Sequence, residues 1–139
     1  MTESPTDVAG PSKYPYATHL DVLVPALSKF DLDALTGEVR DQWFNQTLCR
    51  VNDSVVRFGV IQGEYHWHKH ERDDEFFFVL SGRFLIDLDP SADGTPGTVV
   101  DLAPHEGYVV PKGVVHRTRA PVRTVILMVE TASIQPTGD

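Results

Sequence analysis

The sequence contains one cysteine, Cys49, among 139 residues. A lone cysteine excludes an internal disulfide and any zinc site built from several thiolates. The chain must therefore fold on its hydrophobic core alone, and its length suits a single domain. This cysteine usage favours a reducing, cytoplasmic location, with Cys49 as a small buried hydrophobic residue.

Basic residues are also scarce, since 12 Lys and Arg face 20 Asp and Glu and the net charge is -8. Such a surface repels phosphate backbones and anionic headgroups, which argues against nucleic-acid and membrane partners. The longest apolar run, residues 125–129, is far shorter than the roughly 20 residues of a membrane-spanning helix. The first 19 residues lack the basic start and apolar stretch of a secretory signal. We expect a soluble protein with a small-molecule partner.

The amino-terminal part differs in composition from the rest. Residues 1–19 are rich in Pro, Ser, Thr and Gly, which predicts a flexible or extended arm. Residues 20–139 are expected to form one domain. Apolar residues at mixed spacing between Ser28 and Phe44 predict a short helix or two turns, capped by Ser28 and broken at Gly37.

From residue 47 onward, short segments rich in Val, Phe and Ile alternate with turn signals, which is typical of an antiparallel all-β domain. Tight turns are expected at 52–53, 81–82 and 111–113, and a longer hairpin loop at 89–98. Several short strands at this spacing predict a sandwich or barrel. The predicted strands are 47–51, 55–62, 64–70, 75–80, 83–88, 98–102, 107–110, 114–119 and 123–130.

Three of the six histidines stand at alternate positions between Gly63 and Glu75. Because successive side chains of a strand point to opposite faces, His66, His68 and His70 are expected to share one face. Two imidazoles at positions i and i+2 can therefore reach one ion.

Two further side chains are expected to join these imidazoles. Four polar residues follow His70, and a hairpin turn there would return the Glu75 carboxylate beside the histidines. A Pro-x-Gly turn at 111–113 begins a strand that carries His116. A bulge that shifted the register would offer Asp74 in place of Glu75. The candidate metal ligands are His68, His70, Glu75 and His116.

These residues resemble the two motifs of the cupin superfamily. In the first motif, four residues rather than the family's five separate the opening glycine from the His-x-His pair. In the second, His105 stands at the glycine position and Ala120 replaces the asparagine, but neither change touches a ligand. The residues that match are Gly63, His68, His70, Glu75, Gly82, Pro111, Gly113 and His116.

The resemblance implies a double-stranded β-helix, or jelly-roll barrel, with a short helical or extended amino-terminal segment. It also implies one divalent ion on the four ligands; this donor set suits Fe(II), Mn(II), Ni(II), Cu(II) or Zn(II). The expected function is a metal-dependent enzyme acting on a small organic molecule in the barrel, with a mononuclear non-haem oxygenase favoured. A non-redox lyase, isomerase or cyclase, and a non-catalytic ligand-binding module, remain alternatives.

Three polar residues near the expected cavity are open to more than one interpretation. His66 is a candidate catalytic residue; a wall or substrate contact is favoured over ligation, and an ordinary position at the rim is the alternative. Tyr108 is a candidate proton donor, and Arg57 a candidate anchor for an anion. Tyrosine and arginine at such positions are more often structural.

The run Phe76–Leu80 is apolar on both faces of its predicted strand. One face should line the barrel, so the other must be covered as well. The amino-terminal segment or a second subunit is expected to cover this face and Trp67. The apolar set as a whole predicts a homodimer.

Overall fold

The computed structural model describes residues 15–139, so residues 1–14 of the predicted arm lie outside the described residues. The division into an arm over 1–19 and one domain over 20–139 stays a prediction. No helix among the described residues is long and apolar enough to cross a membrane. The elements in chain order are β1 (Ala17–His19), α1 (Leu32–Gly37), β2 (Trp43–Val51), β3 (Ser54–Glu64), β4 (Glu75–Ser81), β5 (Phe84–Pro90), β6 (Pro96–Leu102), β7 (Gly107–Val110) and β8 (His116–Thr131).

The strands form one sheet that is almost entirely antiparallel, and the predicted all-β barrel is confirmed. Its order is β1-β2-β3-β8-β4-β7, with β5 paired to β6 and β8. Only β1 runs parallel to its neighbour β2. The alternating hydrophobic pattern therefore gave the correct fold class.

Strand β8 lies at the centre of this arrangement. Its carboxyl-terminal half pairs with β3 on one side and β4 on the other. Its first four residues, His116–Arg119, pair with β5. One continuous strand thus replaces the two predicted at 114–119 and 123–130, and it connects both parts of the barrel.

The barrel interior contains a packed apolar cluster below the metal-ligand candidates. Phe77, Val79, Phe84, Ile86 and Ile126 are each at most 3% exposed and belong to one packed cluster. Removing such side chains from water supplies most of the folding free energy of a domain of this size. The interior therefore provides a rigid support for polar groups at its rim.

A second cluster lies on the outer face of β2 and β3. Leu48, Phe58 and Val60 are buried there, and Val24 and Leu35 from the amino-terminal segment pack against them. Helix α1 begins at an Asp31 cap, whose Oδ1 accepts a hydrogen bond from Ala34 N at 3.3 Å. The predicted Ser28 cap was therefore wrong, because the aspartate three residues later satisfies the first-turn amides.

The predicted strand over 64–70 was wrong. Strand β3 ends at Glu64, and residues 65–70 are irregular apart from one antiparallel bridge between His68 and His116. The predicted 89–98 loop is also shorter, since β5 and β6 leave only residues 91–95 as a turn. In both places the sequence pattern did not show where the neighbouring strands end.

Two turn positions require a left-handed backbone. Gly82 has φ +90°, and a Cβ there would lie 2.4 Å from Thr124 Oγ1, so only glycine fits. His105 has φ 70° in the turn before β7, where Glu106 N donates to Ala103 O at 3.0 Å. The turn that glycine would make in the second motif is therefore formed by a histidine in the same conformation.

Candidate metal centre

The four predicted ligands come from three separate segments. His68 and His70 lie in the irregular segment after β3, Glu75 is the first residue of β4, and His116 is the first residue of β8. The bridge between His68 and His116 consists of two backbone hydrogen bonds, of 2.8 and 2.9 Å. This pairing brings residues distant in sequence side by side at the barrel mouth.

One potential ligand atom from each residue lies within 4.8 Å of the other three. The Oε1 atom of Glu75 is 3.4 Å from Nε2 of His70 and 3.4 Å from Nε2 of His116. Bonds of about 2.1 Å to one ion place opposing ligands about 4.2 Å apart, so only small movements are needed. The structure thus brings together all four predicted ligands.

Two of the imidazoles have their tautomers set by the backbone. His68 Nδ1 is 3.0 Å from His66 O, and His116 Nδ1 is 2.9 Å from Val114 O. A carbonyl oxygen only accepts hydrogen bonds, so each Nδ1 carries a proton, which leaves Nε2 as the nitrogen that would bind a cation. Backbone contacts of this kind orient histidines for metal binding.

Three of the four ligand side chains hold buried atoms without a hydrogen-bond partner among the described residues: His70 Nε2, Glu75 Oε1 and His116 Nε2. His70, Glu75 and His116 are each at most 6% exposed. Leaving such atoms unpaired costs about 1–3 kcal/mol apiece. A divalent cation would satisfy all of them together, so the residues present fit a metal ion.

The pKa values of the ligands reflect burial and mutual contact. Burial, followed by the neighbouring His116, lowers the pKa of His68 to about 3. Burial alone would raise the pKa of Glu75, but the contacts with His116 and His70 outweigh it and lower the pKa. The carboxylate is thus ionised and His68 is neutral at pH 7, which are the forms that bind a cation.

A cavity lies directly behind the ligands in the barrel. His68 and Glu75 form part of its wall, and Phe77, Phe84 and Ile126 form an apolar part. The space open to the centres of water molecules is about 40 Å³, enough for about three waters. The cavity as it stands therefore suits a small occupant.

Arg57 and Glu130 are buried in the same cavity wall. Arg57 Nε lies 3.1 Å from Glu130 Oε1, and Nη1 donates to Thr47 Oγ1 at 2.5 Å. Nη2 donates to Asn45 Oδ1. Arg57 is thus held as a structural group by its own chain, one of the two interpretations of this residue.

Glu130 was not identified from the sequence. Burial, and then the charge of Glu75, raises the pKa of Glu130 well above its ordinary value, although Arg57 opposes the shift. Its Oε2 is buried without a hydrogen-bond partner, and the residue lines the cavity. The available signal was a glutamate at the same alternating positions of β8 as the inward-facing Ile126 and Met128.

His66 lies beside the ligands but outside the set of four. Its ring is centred 5.1 Å from that of His68 and stacks on Tyr65 at 4.4 Å. Its Nε2 is 2.7 Å from Thr137 O. A carbonyl can only accept, so Nε2 of His66 donates this bond.

The other candidates lie farther from the cavity. Tyr108 is half-buried on β7 opposite Phe77 and packs against the interior cluster, but it does not line the cavity. Asp74 is exposed, and its Oδ1 accepts a hydrogen bond from Lys112 N at 2.9 Å. The alternative ligand Asp74 is thus engaged by the Pro111–Gly113 turn, and Glu75 occupies the cluster.

Trp67 packs on the barrel surface rather than in the cavity. Its Nε1 donates to Gly94 O at 3.2 Å, and the Arg117 guanidinium carbon lies 4.9 Å from the ring centre. Trp67 is therefore covered by its own chain, through the β5–β6 turn and an arginine. The ring stays half-buried, so its cover by a second subunit remains a prediction.

Comparison with known proteins agrees with this geometry. The family described as Cupin domain matches residues 55–130. The protein named "Uncharacterized protein YdbB" from Bacillus subtilis is 42% identical over 100 residues, which cover 72% of this chain and 83% of the relative.

Solved structures share the same fold. A cupin-2 domain containing protein from Shewanella frigidimarina aligns with a TM-score of 0.66 at 25% identity, covering 73% of this chain and 93% of the other. The hydroquinone 1,2-dioxygenase of Sphingomonas sp. TTNP3 aligns with a TM-score of 0.67 at 20% identity, covering 78% of this chain and 33% of the dioxygenase. The second likeness shows the fold alone.

Proposed function

Because the chain belongs to the cupin family, we propose that it is a metal-dependent enzyme that transforms a small organic molecule inside the barrel. The observation that carries the proposal is the convergence of buried, unpartnered atoms of His70, Glu75 and His116 beside a cavity. Perturbed ionisable groups facing a pocket are typical of functional sites. A structural role alone would leave these atoms unsatisfied.

A mononuclear non-haem oxygenase is the preferred reaction class. A histidine and carboxylate donor set with open positions is favoured by iron enzymes that activate dioxygen, and such an ion also acts as a Lewis acid. The dioxygenase of the same fold adds support at the level of architecture only. The ion itself remains one of Fe(II), Mn(II), Ni(II), Cu(II) and Zn(II).

The chain's own residues would hold the ion and keep water from the reacting molecule. His68 and His116 present Nε2 lone pairs because their Nδ1 protons are donated to backbone carbonyls. The apolar wall of Phe77, Phe84 and Ile126 excludes bulk water, which strengthens electrostatic interactions inside the cavity. These features favour chemistry on a small, largely apolar molecule.

His66 and Tyr108 remain the proposed groups for proton transfer. His66 is supported by its position next to His68, with ring centres 5.1 Å apart. Tyr108 has weaker support, because its ring packs against the interior cluster and does not line the cavity. Glu130 lines the cavity and, with its raised pKa, retains a proton at pH values where an ordinary glutamate is ionised.

A non-redox lyase, isomerase or cyclase, or a binding module without turnover, is the second candidate. The binding module is favoured by the absence of His66 and Tyr108 from the cavity lining, since general acid–base catalysis needs groups within hydrogen-bond reach of the substrate. The two candidates differ in their need for dioxygen.

The test begins with elemental analysis of protein purified without an affinity tag. We expect close to one equivalent of a divalent transition metal per chain. Loss of hydroquinone, catechol or a small 2-oxo acid in the presence of the Fe(II)-loaded protein is then measured with and without air, together with dioxygen uptake in air. Turnover that needs air supports the oxygenase; turnover that continues without air supports the Lewis-acid class, and the absence of any metal from untagged protein would refute both.

The partner and location expectations also stay proposals. Phe76 and Phe78 are half-buried on the outer face of β4, where Val109 is 50% and Val129 37% exposed. A second copy covering this face would form a homodimer, which light scattering coupled to gel filtration would detect. Replacing Val109 by Glu should then give monomers; replacing the exposed Val99 on β6 by Glu is the matched control. The cytoplasmic location rests on the lone cysteine.

A further inference from the structure

The segment Ile134–Asp139 passes beside the ligands at the mouth of the barrel. Pro136 forms part of the cavity wall, and its carbonyl accepts a hydrogen bond from the Tyr65 hydroxyl at 3.1 Å. Asp139 N donates to Lys69 O at 3.0 Å, between His68 and His70. We call these six residues the closing segment.

The closing segment touches the ligand-bearing segment along its length. Thr137 O accepts the hydrogen bond from His66 Nε2 at 2.7 Å. Gly138 has φ +105°, and a Cβ there would lie 2.8 Å from His68 Cβ. A side chain at position 138 would therefore separate the closing segment from His68.

His70 differs from the other two histidine ligands. The Nδ1 atoms of His68 and His116 each donate to a backbone carbonyl two residues earlier. The Nδ1 of His70 has no such bond, and its neighbour is Asp139 Oδ1 at 3.5 Å. The same Oδ1 accepts a hydrogen bond from Glu71 N at 3.2 Å, which keeps the carboxylate beside the ring.

This geometry is that of a carboxylate behind a metal-binding histidine. Such a carboxylate accepts the proton of one ring nitrogen, orients the ring and makes the other nitrogen a better ligand. The gap of 3.5 Å is slightly long for a hydrogen bond, so a small shift of the closing segment would complete it. His70 would then match the other two histidines in having an oriented Nε2.

We propose that Asp139 is the positioning residue for His70, and that through this contact metal binding and closure of Ile134–Asp139 over the cavity stabilise each other. The inference rests on the proposed metal site. Coupling between two events is reciprocal, so whatever Asp139 contributes to metal affinity the metal returns to the closed segment. Access to the cavity past Pro136 then depends on the state of the metal site.

The contact with Glu71 offers a purely structural explanation, in which Asp139 only fastens the end of the segment. The two explanations differ in what happens to the metal. A fastening role affects the segment alone, whereas positioning of His70 changes both metal affinity and the ligand field.

The test measures Co²⁺ binding by the full chain in three variants and the parent. We expect D139A to bind Co²⁺ about 10–100 times more weakly, the usual effect of removing such a partner, and to show an altered visible absorption spectrum of the bound Co²⁺. D139N keeps an oxygen acceptor and should recover most of the affinity. Q135A changes an exposed side chain of the same segment and should match the parent.

Hydrogen exchange of the amides in 134–139, followed by mass spectrometry, tests the coupling. Co²⁺ should slow exchange in the parent and in Q135A, and do so much less in D139A at saturating Co²⁺. A parent-like Co²⁺ affinity and spectrum in D139A would overturn the inference and leave the proposed function intact. Failure of the parent to bind Co²⁺ would overturn both.

Discussion

Two polar clusters lie inside the same barrel and differ in how well their atoms are paired. Around Arg57, which is 2% exposed, every side-chain nitrogen has an oxygen partner. Around Glu75, ligand atoms of His70, Glu75 and His116 converge without a partner among the described residues, whereas the Arg57 cluster leaves one such atom, Oε2 of Glu130. Burial of polar groups therefore does not by itself mark a site; the unpaired, convergent atoms do.

The largest effect, a loss of bound metal, should come from removing one of the four candidate ligands. H68A and H116A should each lose stoichiometric metal, because three ligands from a site built for four hold the ion far more weakly. The barrel should still fold, since the interior apolar cluster is unchanged, and circular dichroism would verify this. Elemental analysis gives the metal content.

A matched control uses a histidine remote from the cluster. H105N keeps the left-handed backbone at φ 70°, which asparagine tolerates, and should retain the parent's metal content. Retention of a full metal equivalent by both H68A and H116A would show that the site has been assigned wrongly.

A substitution in the Arg57 cluster should instead lower the stability of the protein and leave its metal content unchanged. R57M leaves Glu130, Asn45 and Thr47 without their buried partner, and leaving a buried polar group unpaired costs about 1–3 kcal/mol for each group. Urea unfolding should show this loss of stability, with metal still bound to the folded protein. The double variant R57M/E130L should recover part of the loss, and a stability equal to the parent in R57M alone would contradict the structural role.

The pH dependence of the free energy of unfolding should also distinguish the two clusters. The pKa of His68 is lowered to about 3 from 6.5 by burial and then by His116, so the unfolded chain binds a proton that the folded chain does not. The free energy of unfolding of chelator-treated protein should therefore fall as the pH decreases from about 6.5 toward 3.

Arg57 keeps its proton throughout that range, whereas the raised pKa of Glu130 in the same cluster stabilises the fold as the pH decreases. Comparison with H68N isolates the contribution of His68, since asparagine does not titrate. Parallel stability profiles for the parent and H68N between pH 7 and 5 would argue against the buried neutral imidazole.

The smallest effect on stability is expected from a substitution in the closing segment. G138A places a Cβ 2.8 Å from His68 Cβ at a left-handed φ, so it should destabilise by about 1 kcal/mol and speed exchange in 134–139. G37A is the control, because a Cβ at Gly37 meets nothing within 4 Å. Equal exchange in G138A and the parent would show that the segment tolerates this displacement.

The ligands were predictable because their chemistry and spacing are local signals. The reasoning for His68 and His70 assumed a regular strand, yet residues 65–70 are irregular and only His68 forms a bridge. The four residues nevertheless come together, because the pairing of His68 with His116 sets the geometry; that they bind a metal stays a prediction. That contact between distant residues is what periodicity cannot reveal.

Glu130 and Asp139 were not identified from the sequence. Glu130 ends an apolar run, and whether such a residue faces inward depends on how far the strand extends. Asp139 approaches His70 only because the chain after β8 turns back across the barrel mouth. His105 stands where the second motif has a glycine, but the histidine itself does not indicate a left-handed backbone, which is imposed by the turn between β6 and β7.

The wide spacing of the ligands along the chain has a further consequence. An ion held by His68, Glu75 and His116 would tie together strands from both halves of the barrel, in a chain whose single cysteine cannot form a cross-link of its own. The melting temperature should therefore rise with the logarithm of free metal concentration. A chelating buffer would make an intact protein look like a destabilised variant.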